Sequence, residues 1–402
     1  MHIVTNARTL AIAAAASFLS VAGPTPAFAD HDNQPDHIYV IMMENHATSQ
    51  IIGNNTDAPF INQLAHRYAV AMNYHGVTHP SLPNYLATIS GDFQGIWDDC
   101  KAGPTVTCTP EEFIPGAGDA TDPNFSLYTD PKSPLFGSKP PQLTAAEIAS
   151  SSAKPHWFAG QTIVDVLEHK GMNWKAYMQS IPFTAADVEF WPTLGATTYK
   201  LYAEKHNPFM YFTNIRGSAS RMANIVPLPQ LDYDLATNNV PNLVWISPDQ
   251  CNDMHGVSDG SPLGYPNCSY PASGLDHGAI QLGDAFLKET VTKIMSSRAW
   301  TKDSIMVIVW DEDDYNGYPL GCCYSPTGTT GNFGNVFTNV LGGAVTPAIV
   351  IQAGEPAHRE SSRPYNHYSL LGTILRLWNL PCLGNTCKLA DSDLMNDLFG
   401  DN

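Results

Sequence analysis

Short apolar runs, each followed by polar or acidic residues, set the rhythm of this chain. Ile38 to Met43, Asn173 to Met178, Leu243 to Ser247, Ile305 to Trp310 and Ala348 to Ile351 read as buried strands. Helical periodicity lies between them. Pro59 to Ala69 starts with proline in its first turn, and Thr162 to Lys170 stops at Gly171. Ala279 to Met295 and Tyr368 to Trp378 repeat the pattern, and Pro83 fits the first turn of a helix reaching about Ser90. Buried strands alternating with helices predict an α/β fold with a mostly parallel central sheet.

Three stretches break the rhythm. Residues 92–155 and 315–345 are long, irregular and rich in small and polar residues, and 256–274 carries its own cysteine. They read as loop insertions on one domain. The first 29 residues read as an export signal: Arg8 precedes the apolar run Leu10 to Ala22, and Ala27-Phe28-Ala29 offers a cleavage site. The remaining domain is then 30–402, secreted or periplasmic, with no stable membrane anchor expected.

Eight cysteines in an exported chain favour disulfides. Spacing suggests Cys100–Cys108, Cys251–Cys268 and Cys382–Cys387. The adjacent Cys322 and Cys323 either bridge each other or pair elsewhere. The net charge of −18 argues against nucleic acid as a partner. It leaves room for a phosphorylated substrate, since a bound cation reverses the field locally.

The chemistry-bearing residues follow predicted strands, where open α/β sheets build their sites. Glu44-Asn45 comes directly after the first strand. Trp310-Asp311-Glu312-Asp313-Asp314 closes another, with Asp311 and Glu312 the favoured ligands of a hard cation and Asp313 and Asp314 expected further out or in solvent. Ser81, in His79-Pro80-Ser81-Leu82-Pro83-Asn84-Tyr85, falls at a helix N-terminus, which suits a phosphate. No G-x-S-x-G elbow surrounds it, so activation by a metal is the better reading. Among 14 histidines, His206, His255, His277 and His367 stand in polar contexts. Residue chemistry alone leads to a metal-assisted hydrolase.

These motifs, in this order, resemble the bacterial phosphoesterase family of secreted acid phosphatases and non-specific phospholipases C. Asn252-Asp253-Met254-His255 and Asn366-His367-Tyr368-Ser369 extend the likeness from about His37 to Leu383. The resemblance implies a three-layer α/β/α fold, alkaline phosphatase-like, with the loop insertions outside its core. It implies Ser81 as the phosphorylated nucleophile, with Glu44, Asn45, Asp311 and Glu312 holding one divalent ion (Mg²⁺, Ca²⁺, Mn²⁺ or Zn²⁺). His206 and His255 would contact the phosphate or assist its leaving group, and Asn84 would contact substrate. The implied function is a secreted, metal-dependent acid phosphatase acting on small phosphorylated molecules or a phosphoinositide. The alternatives are a phospholipase C-type diesterase on phospholipid headgroups, for which Trp97, Phe113, Phe125 and Phe136 would form an apolar rim, and a non-catalytic exported binding protein.

Overall fold

The computed structural model describes residues 34–110, 137–258, 260–270, 275–314, 321–333, 336–354 and 357–399. The expected export signal and Phe113, Phe125 and Phe136 lie outside them. Thirteen strands form among the described residues. In chain order they are β1 Ile38–Met43, β2 Ala69–His75, β3 Trp174–Met178, β4 Phe190–Leu194, β5 Thr197–Ala203, β6 Ile225–Pro227 and β7 Leu243–Ser247. Then come β8 Ile305–Trp310, β9 Thr327–Phe333, β10 Val336–Val340, β11 Val345–Gln352, β12 Arg359–Ser361 and β13 Tyr365–Asn366.

Nine of these make one sheet in the order β12-β2-β11-β8-β1-β7-β3-β6, with β13 also on β2. All pairs are parallel except those of β11, which runs antiparallel to both β2 and β8. Strand β1 lies inside the sheet and is buried on both faces. Ile38, Val40 and Met42 join one core; Tyr39, Ile41 and Met43 join the other. That is why its apolar run is continuous rather than alternating.

Helices Ser81–Ser90, Ile163–His169 and His367–Leu377 cover the first face through Leu86, Leu167 and Leu371. Helices Pro59–Arg67, Pro229–Thr237 and His277–Ser296 cover the second through Ile61, Leu231 and Leu287. Each fully buried aliphatic side chain contributes about 1.5–3 kcal/mol against exposure. Two closed cores on one mixed, mostly parallel sheet make a three-layer α/β/α fold.

Five predicted strands and the predicted helices form within a few residues of the expected bounds. Strand β2 was not expected. Its sequence, AVAMNYH, lacks the β-branched density of the others and leaves Met72 exposed, so tertiary pairing decides it. The stretches read as irregular also carry structure. Residues 92–155 include helix Ala145–Ser152, started by a Thr144–Glu147 capping box. Residues 315–345 include the β9–β10 hairpin. A further hairpin, β4–β5, was missed altogether.

Four disulfides are present: the three suggested by spacing and a vicinal Cys322–Cys323 bridge. No helix among the described residues is long and apolar enough to cross a membrane.

Candidate active site

Strand register assembles the acidic core of the site. Met43 pairs with Trp310 across the parallel β1–β8 ladder. The residues that follow each strand therefore emerge side by side, and Asp311 N–H donates to Met43 O at 3.0 Å. This brings Glu44 and Asn45 against Asp311 and Glu312 although hundreds of residues separate them. Asn45 holds a left-handed φ of 41°, uncommon outside glycine. Its backbone N–H donates to Asp311 Oδ1 at 3.1 Å, and its carboxamide lies against Glu44 and Asp311. Gly76, just after β2, sits so close to this loop that a Cβ there would lie 2.7 Å from Asp311 O. A side chain at that position would push the acidic loop out of place.

Ser81 opens the helix Ser81–Ser90 as its first residue. Its hydroxyl donates to Glu44 Oε2 at 2.9 Å and lies 3.4 Å from Glu312 Oε1. It is 1% exposed. The Lys205 ammonium is 3.4 Å from the same hydroxyl oxygen. Lys205 is held by Asp99, whose Oδ2 accepts from it at 2.8 Å while Oδ1 accepts from Leu82 N–H at 2.9 Å. One carboxylate thus ties the lysine to the first turn of the serine's helix.

The histidines divide into distinct positions. His206 stacks on Tyr85 and stands between two carboxylates, Nε2 3.1 Å from Glu44 Oε1 and Nδ1 3.1 Å from Asp253 Oδ2. His255 is partly exposed; its Nδ1 faces Gly256 O at 2.8 Å, and its Nε2 is 3.3 Å from Lys205 Nζ. Asp253 also accepts from the His255 backbone N–H at 2.8 Å. His367 is buried behind the site, with Nε2 2.6 Å from Asp311 O, and so steadies the acidic loop. His277 is remote, paired with Asp57 at 2.7 Å.

Two expectations, for Asn84 and Trp97, meet side chains committed elsewhere. Asn84 is turned into its own loop. Its Oδ1 accepts from Val77 and Thr78 N–H at 2.7 and 3.2 Å, and its Nδ2 donates to Thr78 O, Pro80 O and Glu312 Oε2 at 2.6, 3.1 and 3.2 Å. The side chain is committed to folding the Ser81 loop and orienting Glu312. Of the two places expected for Asp313 the structure takes the outer one: it is buried, 3.4 Å from His79 Nε2, while His79 Nδ1 lies 2.8 Å from Glu312 Oε2. Trp97 is no rim residue: it is buried and donates to Thr78 Oγ1 at 3.1 Å. Sequence reasoning gave no role to His79, Asp99, Lys205 or Asp253. His79 and Asp253 lie inside quoted motifs, and Lys205 precedes His206, but nothing local marks Asp99.

The phosphoesterase family model matches residues 54–262 and 266–381. The chain belongs to that family. A probable acid phosphatase of Kluyveromyces lactis is 22% identical over 347 residues, 86% of this chain and 59% of its own. The phosphatidylinositol-3-phosphatase of Mycobacterium tuberculosis is 25% identical over 368 residues, 91% of this chain and 83% of its own. The chain spans about two-fifths to three-fifths of the length of the fungal acid phosphatases it matches. A solved member of the alkaline phosphatase superfamily from Vibrio parahaemolyticus overlays 90% of this chain and 72% of its own, at TM-score 0.44 and 14% identity.

The charge pattern of the site fits a hard divalent cation. Glu44, Asp311 and Glu312 are all buried, and Asp311 Oδ2 has no hydrogen-bond partner among the described residues. Burial raises the carboxyls of Glu44 and Asp311 well above the usual range, and the adjacent Asp311 and Glu312 charges respectively raise them further. A cluster of oxygen donors that repel one another is relieved by a shared cation. Burial works against charge on Lys205 too, yet Asp99 and Glu44 hold its ammonium above the ordinary lysine range. Burial and that ammonium push His206 well below the usual imidazole range and His255 down to about 3. Among Lys205, His206 and His255, the charged donor next to Ser81 is therefore Lys205.

The segment carrying Asp99 has its own clamp. His156 Nε2 lies 2.6 Å from Asp98 Oδ1, both fully buried. Burial opposes charge on His156, but the Asp98 contact prevails and raises its pKa. A raised imidazole stabilises the fold fully below its unfolded value of about 6.5, and that contribution is lost as pH rises through the folded value. His156→Gln is expected to lose on the order of 3 kcal/mol near about pH 5. The deficit should shrink toward about pH 9, as read from urea midpoints at the two pH values. A deficit that does not change with pH would mean the ion pair contributes nothing.

Proposed function

We propose that this phosphoesterase hydrolyses phosphate monoesters through a phosphoserine at Ser81. The observation that carries the reading is the Ser81 hydroxyl itself. It sits at a helix N-terminus, 2.9 Å from a buried carboxylate and 3.4 Å from a lysine ammonium, beside a cluster of buried oxygen donors. A binding protein has no use for a serine there. The relatives named acid phosphatases and phosphatidylinositol-3-phosphatase support monoester chemistry. Of the four aromatic residues offered for the diesterase alternative, Trp97 is buried and lends it no support.

Glu44, Asn45, Asp311 and Glu312 would hold one divalent cation, Mg²⁺, Ca²⁺, Mn²⁺ or Zn²⁺. Bound there, it supplies charge neutralisation at the phosphate and eases ionisation of the serine. Ser81 Oγ forms its bond to phosphorus as the bond to the leaving oxygen breaks. Lys205 compensates charge on the phosphoryl oxygens. His255, neutral at the cleft edge with its Nε2 3.3 Å from Lys205 Nζ, would relay a proton from that ammonium to the leaving oxygen, and the proton given up by Ser81 would restore the ammonium. His206, enclosed between Glu44 and Asp253, orients Glu44. Water then cleaves the phosphoserine and restores the hydroxyl. Four disulfides favour work outside the reducing cytosol, so we place the enzyme as exported.

The test is hydrolysis of a chromogenic phosphate monoester and its matching diester from acid to alkaline pH, with and without chelator. Monoester turnover that disappears with chelator and returns with added divalent ion is the expected result. Diester turnover alone, or indifference to chelator, would overturn the reading.

A further inference from the structure

A cleft of about 530 Å³ opens beside the site and has Asp99, Lys205 and His255 in its wall, with Phe190, Lys200 and Tyr270 farther along. That volume suits a small-molecule substrate rather than a lone phosphate ion. With the phosphate at Ser81, the rest of the cleft receives the leaving group.

The cleft wall carries two lysines and one carboxylate. Asp99 is spent: one oxygen accepts from Leu82 N–H and the other from Lys205. Lys205 is directed at Ser81. Lys200 pairs with no carboxylate among the described residues. Its ammonium lies 4.5 Å from the centre of the Phe190 ring, on the neighbouring strand of the β4–β5 hairpin. Its backbone has a left-handed φ of 26°, a costly conformation for a lysine inside a strand. Buried Gln250 holds that conformation: its side-chain amide donates to Lys200 O, and its backbone N–H donates to Leu201 O at 2.9 Å. Across the cleft, Tyr270 places its hydroxyl 3.3 Å from His255 Nδ1 and belongs to the wall closed by Cys251–Cys268. A chain of net charge −18 therefore keeps, along the leaving-group path, a lysine with no carboxylate partner among the described residues, on a strained and braced backbone.

We infer that Lys200 is a specificity-determining residue that binds a second anionic group on the leaving-group side of the substrate. This rests on the phosphatase reading and adds a substrate class to it: a ring or polyol monoester carrying another phosphate. The second charge is either a second phosphate on a free sugar or the phosphodiester of a phosphoinositide headgroup. Aromatic faces at Phe190 and Tyr270 suit the ring, and the ammonium takes the distant charge.

The experiment compares wild type, Lys200→Ala and Lys200→Arg by phosphate release. The substrates are a hexose monophosphate, the matching hexose bisphosphate, a soluble short-chain phosphatidylinositol monophosphate, and the same headgroup in phosphatidylcholine vesicles. Lys200→Ala should lower kcat/KM about tenfold on substrates with a second charge and less than about twofold on the hexose monophosphate. Lys200→Arg should retain most of the preference. Loss on the bisphosphate alone assigns a free sugar phosphate; loss on the short-chain lipid and vesicles alone assigns the headgroup. An equal change on all substrates, or none, overturns the inference while leaving the phosphatase reading intact. If wild type releases phosphate from none of them, the phosphatase reading itself fails.

Discussion

Ser81→Ala is expected to lose monoester turnover by roughly ten-thousand-fold while still binding its divalent ion. The serine hydroxyl is the only part removed, and among the described residues no other hydroxyl bonds Glu44, Glu312 and Lys205 together as it does. Fold should be little affected, because Ser81 starts its helix without a side-chain cap to the backbone. Acid quenching of wild type during turnover, followed by peptide mass analysis, should find phosphate on Ser81. A variant with wild-type rate, or phosphate trapped on another residue, would remove Ser81 from the mechanism.

Asp311→Asn and Glu44→Gln are expected to lose the bound ion and nearly all activity, roughly a thousand-fold or more. Each removes one charge from a buried set whose members raise one another's pKa. Metal content by mass spectrometry after gel filtration gives the direct readout, and stoichiometric metal in either variant would dismiss that residue as a ligand. The same charges give a second expectation. In chelator, Asp311→Asn should be no less stable than wild type, because it relieves repulsion that the empty site has to bear. Restored ion should then favour wild type by ligand linkage. Thermal midpoints in the two conditions would show this reversal of order.

Much of the site is legible because function sits at strand ends, and strand ends are marked locally. Ile38 to Met43 and Ile305 to Trp310 are buried on both faces, so their composition announces them, and an acid directly after such a run is out of place unless it has work to do. Pro83 and the residues around it likewise announce the helix that Ser81 starts. Asn84 shows the limit of motif reading. The resemblance implied a substrate contact for it, and five hydrogen bonds bind its side chain to the loop and to Glu312. Strand β2 and the β4–β5 hairpin were illegible for another reason: their stability comes from pairing partners, and their own residues carry weak periodicity.

The sequence by itself determined five core strands and the helices between them, the α/β class, three disulfide pairs, and the acids and serine that we propose carry the chemistry. These follow from local pattern, because burial on one or both faces dictates residue type along each strand and helix. Only the tertiary structure decided what stands around Ser81. Asp99 reaches Lys205 across 106 positions and His79 meets Glu312 from another strand end, while His206 lies between Glu44 and Asp253. Such contacts leave no periodic trace in the chain. They arise when sheet register brings distant loops to one edge, and each charge is then settled by the neighbours it meets there.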